Sequence, residues 1–214
     1  MTTVYGVALS PFARKVLLVL EAKGIPYENN PITPLDIPDW FVQYSPLKKI
    51  PALKDDQVAI SDSSIIIEYL HERYPEVPLL PENIADRARS RWLEEYADTA
   101  LMQAVGGPIF FERFVRGKLL GEEVDERRVQ DAIDNLVPPV FDYLESQVVG
   151  AAYLFDDRLS TADVALGSLM RNAQIGEFAV DESRWPKFAA YVKFVHSEPV
   201  FAKRIAAEIK DFSL

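Results

Sequence analysis

Apolar positions along this chain change period several times, and each change marks an element. Residues 3–8 read as a short strand. From Pro11 the period lengthens, and Phe12, Val16, Val19 and Leu20 recur near helical spacing. Proline at the first helical position and Gly24 with Pro26 beyond the last bound that helix, which makes Ser10 its natural N-cap. Residues 27–32 predict a second strand. Residues 38–44, bracketed by Pro38 and Pro46, predict a short amphipathic turn of helix carrying Trp40 and Phe41. Two apolar runs at 52–54 and 58–60 flank the turn-rich Asp55-Asp56-Gln57 and predict an antiparallel hairpin, with a helix over about 64–74 behind it.

Pro75, Pro78 and Pro81 fall within seven residues, a density that no helix or central strand tolerates, so a domain linker is placed there. Beyond it the pattern is helical throughout. Helices are expected at 85–105 and 109–119, separated by a kink or break at Gly106-Gly107-Pro108, then at 123–148 with a kink at Pro138-Pro139. Leu159-Ser160-Thr161-Ala162-Asp163-Val164 combines a cap serine, an acid three residues on, and an apolar pair placed as a hydrophobic staple, which predicts a helix start with a folding role.

Composition narrows the possibilities. In 214 residues, 49% hydrophobic and 26% charged positions suit a core-forming chain, and the longest clean apolar run, residues 16–20, is too short to span a bilayer. The first residues lack the basic start and apolar stretch of a secretory signal, so a cytoplasmic location is expected. A net charge of -10, with basic residues in pairs such as Arg14-Lys15 at most, disfavours nucleic acid. The chain has no cysteine, which removes disulfides, thiolate metal sites and chemistry by a protein thiol. Any thiol chemistry must arrive with a ligand. His71 and His196 are isolated from each other and from a second ligand at i+4, so no metal is expected.

Three motifs carry candidate chemistry: Ser10-Pro11-Phe12, Lys49-Ile50-Pro51 and Asp62-Ser63. Taken singly, each has a plain structural reading. Ser10 caps a helix before proline, Ile50-Pro51 is an ordinary turn, Asp62 and Ser63 cap the helix that follows, and Lys49 is a solvated charge. A helix N-terminus beginning at Ser63 also favours an anion such as a carboxylate. Taken together, their order and spacing resemble the glutathione transferases, most closely the serine type of tau-like plant enzymes and many bacterial relatives. The resemblance covers the whole chain and is strongest over residues 1–79.

The resemblance implies an α/β plus all-α architecture, the glutathione transferase fold. A thioredoxin-like, glutathione-binding domain is expected over residues 1–79, and a C-terminal all-helical bundle over 86–214 that supplies the electrophile pocket and homodimer contacts. It implies glutathione as co-substrate, no metal, and a detoxifying enzyme acting on small hydrophobic electrophiles. Pro51 would be cis, letting the backbone of Ile50 pair with the cysteinyl part of glutathione. Asp62 would take the ammonium, Ser63 the γ-glutamyl carboxylate and Lys49 the glycyl carboxylate region. Lys48 stands where relatives often have glycine. Ser10 would donate its hydroxyl hydrogen to the sulfur and hold it as a thiolate, with Tyr5 as the rival donor.

A free thiol titrates near 8.5, and lowering it by roughly two units takes about 2.7 kcal/mol of preferential stabilisation of the anion. A hydrogen bond to a charged group contributes about 1.5–3 kcal/mol and a helix N-terminus about 0.3–1 kcal/mol, so one donor and one dipole suffice. Members with cysteine at this position act as thiol reductases through mixed disulfides, a route closed here. Conjugation, reduction of organic hydroperoxides, or isomerisation by reversible thiol addition stay open. The resemblance places an electrophile pocket between the domains, lined by Phe12, Met102, Phe110, Phe111 and Phe114. Met102, Phe110 and Phe114 share a helical face and read equally as core. The alternative is a noncatalytic interaction protein on the same fold, of the stringent-starvation type.

Overall fold

The computed structural model describes residues 1–150, 152–155, 157–212 and 214. Short alternating runs near the N-terminus pair into one four-stranded sheet. Its strands are β1 (Thr2–Tyr5), β2 (Tyr27–Asn30), β3 (Ala52–Lys54) and β4 (Ala59–Ser61), in the order β2-β1-β3-β4. β1 and β2 run parallel, as a connection through a helix requires, and β3 is antiparallel to both β1 and β4. Helices α1 (Pro11–Ala22) and α2 (Ser63–Arg73) pack against each other and the sheet. Val4, Val16, Leu17, Leu20, Leu53, Ile66 and Leu70 bury completely in this layer.

β1 stops at Tyr5, earlier than the expected strand over 3–8. Gly6 takes φ +151°, and the amides of Gly6 and Val7 donate to Asn30 O and Ile32 O in a turn toward α1. Asp39–Gln43 forms the expected short helix, of the 3-10 kind. The β3–β4 hairpin is closed by the Asp55 carboxylate, which accepts from the amides of Gln57 (2.8 Å) and Val58 (3.0 Å). Its other oxygen accepts from Tyr69 (2.7 Å) and Arg73 (3.0 Å) of α2, so turn and helix are fastened together.

Contacts along the chain form two compact units: Met1–Leu79 with residues 206–212 at the end of the last helix, and Leu80–Ile205. The second is helical, built from α3 (Ile84–Tyr96), a π-type segment (Ala97–Leu119), α4 (Glu126–Asp131), a π-type turn (Ala132–Leu136), α5 (Val137–Gln147), α6 (Thr161–Ile175), α7 (Pro186–Ser197) and α8 (Pro199–Phe212). α6 is the centre of this unit, with every residue buried except Arg171 and Gln174. The expected box starts it: Ser160 Oγ accepts from the Asp163 amide, and the Asp163 carboxylate accepts from the Ser160 amide (2.8 Å). Among the described residues, no helix is long and apolar enough to cross a membrane.

Two expectations are corrected. The helix does not break at Gly106-Gly107-Pro108; the π-type segment runs through all three residues. Its wide turns, seen where the Leu120 amide donates to Val115 O five residues back, accommodate a proline whose missing N–H forfeits one bond. The Met102 side chain folds over Gly106, its sulfur 2.2 Å from where a Cβ would stand. Nor do Pro138 and Pro139 kink one long helix. They occupy the first turn of α5, where no intrahelical N–H is needed, and the stretch is divided among α4, the π-type turn and α5.

Candidate active site

Sheet register gathers the three motifs. Tyr5 is paired with Ala52, and Ala52 with Ser61, so the end of β1, the start of β3 and the end of β4 share one edge of the sheet. The segments beyond these residues are therefore neighbours: Gly6 to Ser10, Ile50-Pro51 and Asp62-Ser63. Gly6 is the point of closest approach. A Cβ there would lie 3.1 Å from Ala13 Cβ of α1, 3.4 Å from Ile50 Cβ and 3.6 Å from Pro51 Cα.

Ser10 caps α1. Its amide donates to Val7 O at 3.0 Å, and its Oγ accepts a long bond from the Ala13 amide at 3.4 Å. The hydroxyl hydrogen has no acceptor among the described residues. The first turn of α1 carries no acidic residue, so the positive end of the helix dipole is not offset within it. Two cations follow immediately and both are buried. Arg14 forms a bidentate pair with Glu208, and Lys15 Nζ donates to Ser64 Oγ of α2 at 3.4 Å.

The Ile50-Pro51 peptide bond is cis. Buried Ser45 holds the loop leading to it, donating through Oγ to Lys49 O (2.7 Å) and accepting from the Lys49 amide (3.1 Å). The Lys49 side chain is left exposed. Lys48, whose amide donates to Ser45 O, has φ +52°. That left-handed conformation explains why glycine suits the position and lysine is the unusual occupant. Ile50 packs on the apolar cluster of Tyr5, Ile32, Phe41 and Ala52.

Asp62 caps α2 with one oxygen, Oδ1, which accepts from the amides of Ser64 (3.0 Å) and Ile65 (3.2 Å). The residue is exposed and has φ +80°. Oδ2, and the hydroxyl of the buried Ser63, have no hydrogen-bond partner among the described residues. A site with donors at Ser63 and an acceptor at Asp62 Oδ2 suits a zwitterionic amino-acid group. Tyr5 is engaged elsewhere: its ring stacks on Tyr44 (centroids 4.8 Å apart), and burial pushes its phenol up, with the Tyr44 hydrogen bond adding to the rise.

Phe12 lies half-buried on α1, while Met102, Phe110, Phe111 and Phe114 lie on the π-type segment of the second unit. Phe110 and Phe114 are buried and stacked, with centroids 5.5 Å apart, whereas Phe111 is exposed. Sequence reasoning missed Gly6, Ser45 and the Arg14–Glu208 pair. Only Gly6 carried a local signal, as an isolated glycine inside a strand pattern, which marks a close approach of backbone.

Two family models match the chain: the N-terminal domain of glutathione S-transferases over residues 4–78 and their C-terminal domain over 110–207. Among curated proteins, mouse glutathione S-transferase omega-1 is 27% identical over 199 residues, covering 92% of this chain and 77% of its own. The Arabidopsis thaliana chloroplastic glutathione S-transferase DHAR3 is 28% identical over 208 residues, covering 94% and 70%. A glutathione S-transferase structure from Rhodospirillum rubrum superposes with a TM-score of 0.85 at 27% identity, covering 95% of this chain and 91% of its own. Human glutathione S-transferase T1-1 does so at 0.83 and 26%, covering 99% and 92%. With the sheet order, the motif-bearing edge and both family domains in agreement, the chain belongs to the glutathione S-transferase family.

Proposed function

We propose that this chain is a serine-type glutathione transferase in which Ser10 holds the bound thiol as a thiolate. One observation carries the reading: a cap serine whose hydroxyl hydrogen is uncommitted stands at the start of an unopposed helix dipole, in a protein without cysteine. In this reading the Ile50 backbone beside Pro51 pairs with the cysteinyl unit. Ser63 takes the γ-glutamyl carboxylate, Asp62 Oδ2 the ammonium and Lys49 the glycyl end. The thiol proton leaves to solvent, the thiolate attacks an electrophilic carbon, a C–S bond forms, and the leaving group departs with its electron pair. Phe12, Met102, Phe110, Phe111 and Phe114 are the apolar side chains proposed to select the electrophile.

Ultraviolet difference absorbance of bound thiolate, titrated against pH, tests the proposal. Ser10→Ala is expected to raise the bound thiol's pKa by about one to two units, as loss of a hydrogen bond worth about 1.5–3 kcal/mol to the anion requires. Below the bound thiol's pKa glutathione affinity should change little, because the carboxylate and ammonium contacts are untouched; above it the lost thiolate stabilisation weakens binding. A folded Ser10→Ala protein with the wild-type thiolate titration removes Ser10 from the mechanism. A panel of aryl halides, organic hydroperoxides and maleyl compounds then separates conjugation from peroxide reduction and isomerisation.

A further inference from the structure

The last turns of α8 belong to the first unit. Of residues 206–212, Glu208 is the one that is buried; Ile209, the obvious apolar anchor, is 46% exposed. The one fully buried side chain of this segment is therefore a charge. The Glu208 carboxylate meets the Arg14 guanidinium at 2.5 Å (Nε to Oε1) and 3.2 Å (Nη2 to Oε2), with side chains 1% and 0% exposed. Arg14 in turn donates its amide to Ser10 O at 2.9 Å, closing the first helical bond of α1.

We infer that Glu208 is a positioning residue for Ser10, acting through Arg14; the inference rests on the serine reading above. A fully buried ion pair adds little stability over an apolar pair of similar volume, so stability does not account for it. Geometry does. Two parallel bonds between a planar fork and a carboxylate fix distance and angle together, where an apolar contact would let the turn slide. Ser10 needs such support because its own side-chain tie to the helix is a 3.4 Å bond. The direction of its hydroxyl is thus set by where the first turn sits. Gly6 against Ala13 defines that turn from the sheet side, and Glu208 on Arg14 holds it from the chain's far end. As an ion pair, Arg14–Glu208 adds no net charge near the sulfur, so its effect is on placement.

The test replaces the pair without changing net charge. Arg14→Met with Glu208→Leu, Ser10→Ala, and all three together are compared with wild type by thiolate titration of bound glutathione. The paired variant is expected to raise the thiol pKa by about one unit, a tenfold loss of thiolate below the pKa. Below the bound thiol's pKa, the glutathione KM should stay within about twofold while kcat falls with the thiolate fraction. In the Ser10→Ala background the pair should add nothing. A folded paired variant with an unchanged thiol pKa overturns the inference, as does an equal rise in the Ser10→Ala background. If Ser10→Ala alone leaves the pKa unchanged, the serine reading falls and this inference with it. If Ser10→Ala raises it and the paired variant does not, only this inference falls. Glu208→Gln is the second variant, should the paired one fail to fold. Loss of a buried negative charge would by field alone lower the thiol pKa, so a rise that vanishes in Ser10→Ala supports positioning, and a fall or no change defeats it.

Discussion

At the residue scale, the site is organised by backbone conformations that side chains ordinarily avoid. Gly6 (φ +151°), Lys48 (φ +52°) and Asp62 (φ +80°) each stand beside one of the three motifs. Such conformations persist only where surrounding structure enforces them, and they concentrate at functional sites. Lys48 and Asp62 tolerate theirs with a side chain in solvent. Gly6 cannot, because a Cβ there meets α1 at 3.1 Å. Gly6→Ala is expected to destabilise the fold by about 1–3 kcal/mol through strain and overpacking. Because the displaced groups are Ala13 and Ile50, it should also weaken glutathione binding. Urea midpoints with calorimetry of glutathione binding check both, and an alanine variant matching wild type in each defeats the argument.

At the element scale, local signals and tertiary demands conflict in two places. Glycine usually follows a helix at the first left-handed position, yet α6 ends with Gly176 at φ -77° and places Glu177 at φ +59°. The bonds are those of the usual motif: the Phe178 amide donates to Ala173 O (2.9 Å) and that of Glu177 to Gln174 O (3.0 Å). Glycine is displaced one residue early because a Cβ at 176 would stand 3.0 Å from Phe110 Cα and 3.1 Å from its nitrogen. Glu177→Gly is therefore expected to stabilise the protein by up to about 1 kcal/mol, raising Tm by about 2–4 °C, since the exposed Lys118 pair it gives up is worth little. Gly176→Ala should lower Tm; scanning calorimetry on both variants reads the opposite signs. The second conflict is Gly106-Gly107-Pro108. These breakers cost about 1 kcal/mol for each glycine and about 3 for proline. Burial of Leu101, Val105, Ile109, Phe110 and Phe114, at about 1.5–3 kcal/mol each, outweighs them. Local composition predicted the break; the neighbours of the segment removed it.

At the scale of the whole molecule, proton linkage follows the carboxylates that hold elements together. Asp55 binds the hairpin turn to α2. Burial alone would raise its carboxyl, but the Tyr69 hydroxyl, the Val58 and Gln57 amides and the Arg73 guanidinium outweigh burial and hold it below the ordinary range. A depressed folded pKa means stability that is present above the unfolded value, near 4, and lost as pH falls through the folded one. Asp55→Asn should thus be less stable than wild type by about 1–3 kcal/mol at neutral pH, with the gap narrowing as pH falls through the depressed folded value. Urea denaturation at pH 7, 5 and 3 measures this, and a gap that stays constant contradicts it. Element types and the chemical identity of the motifs were legible in the sequence: Pro11 behind Ser10, the Asp55 turn, the Ser160 box and the absence of cysteine act through the chain's own neighbours or by composition alone. The adjacency of the segments that carry Ser10, Pro51 and Ser63 was not, because it depends on the register Tyr5–Ala52–Ser61 across three strands. The roles of Gly6, Ser45 and Glu208 and the unbroken passage through Pro108 were decided the same way, by contacts that exist only once distant segments are packed, where burial and steric fit exceed what local preference can impose.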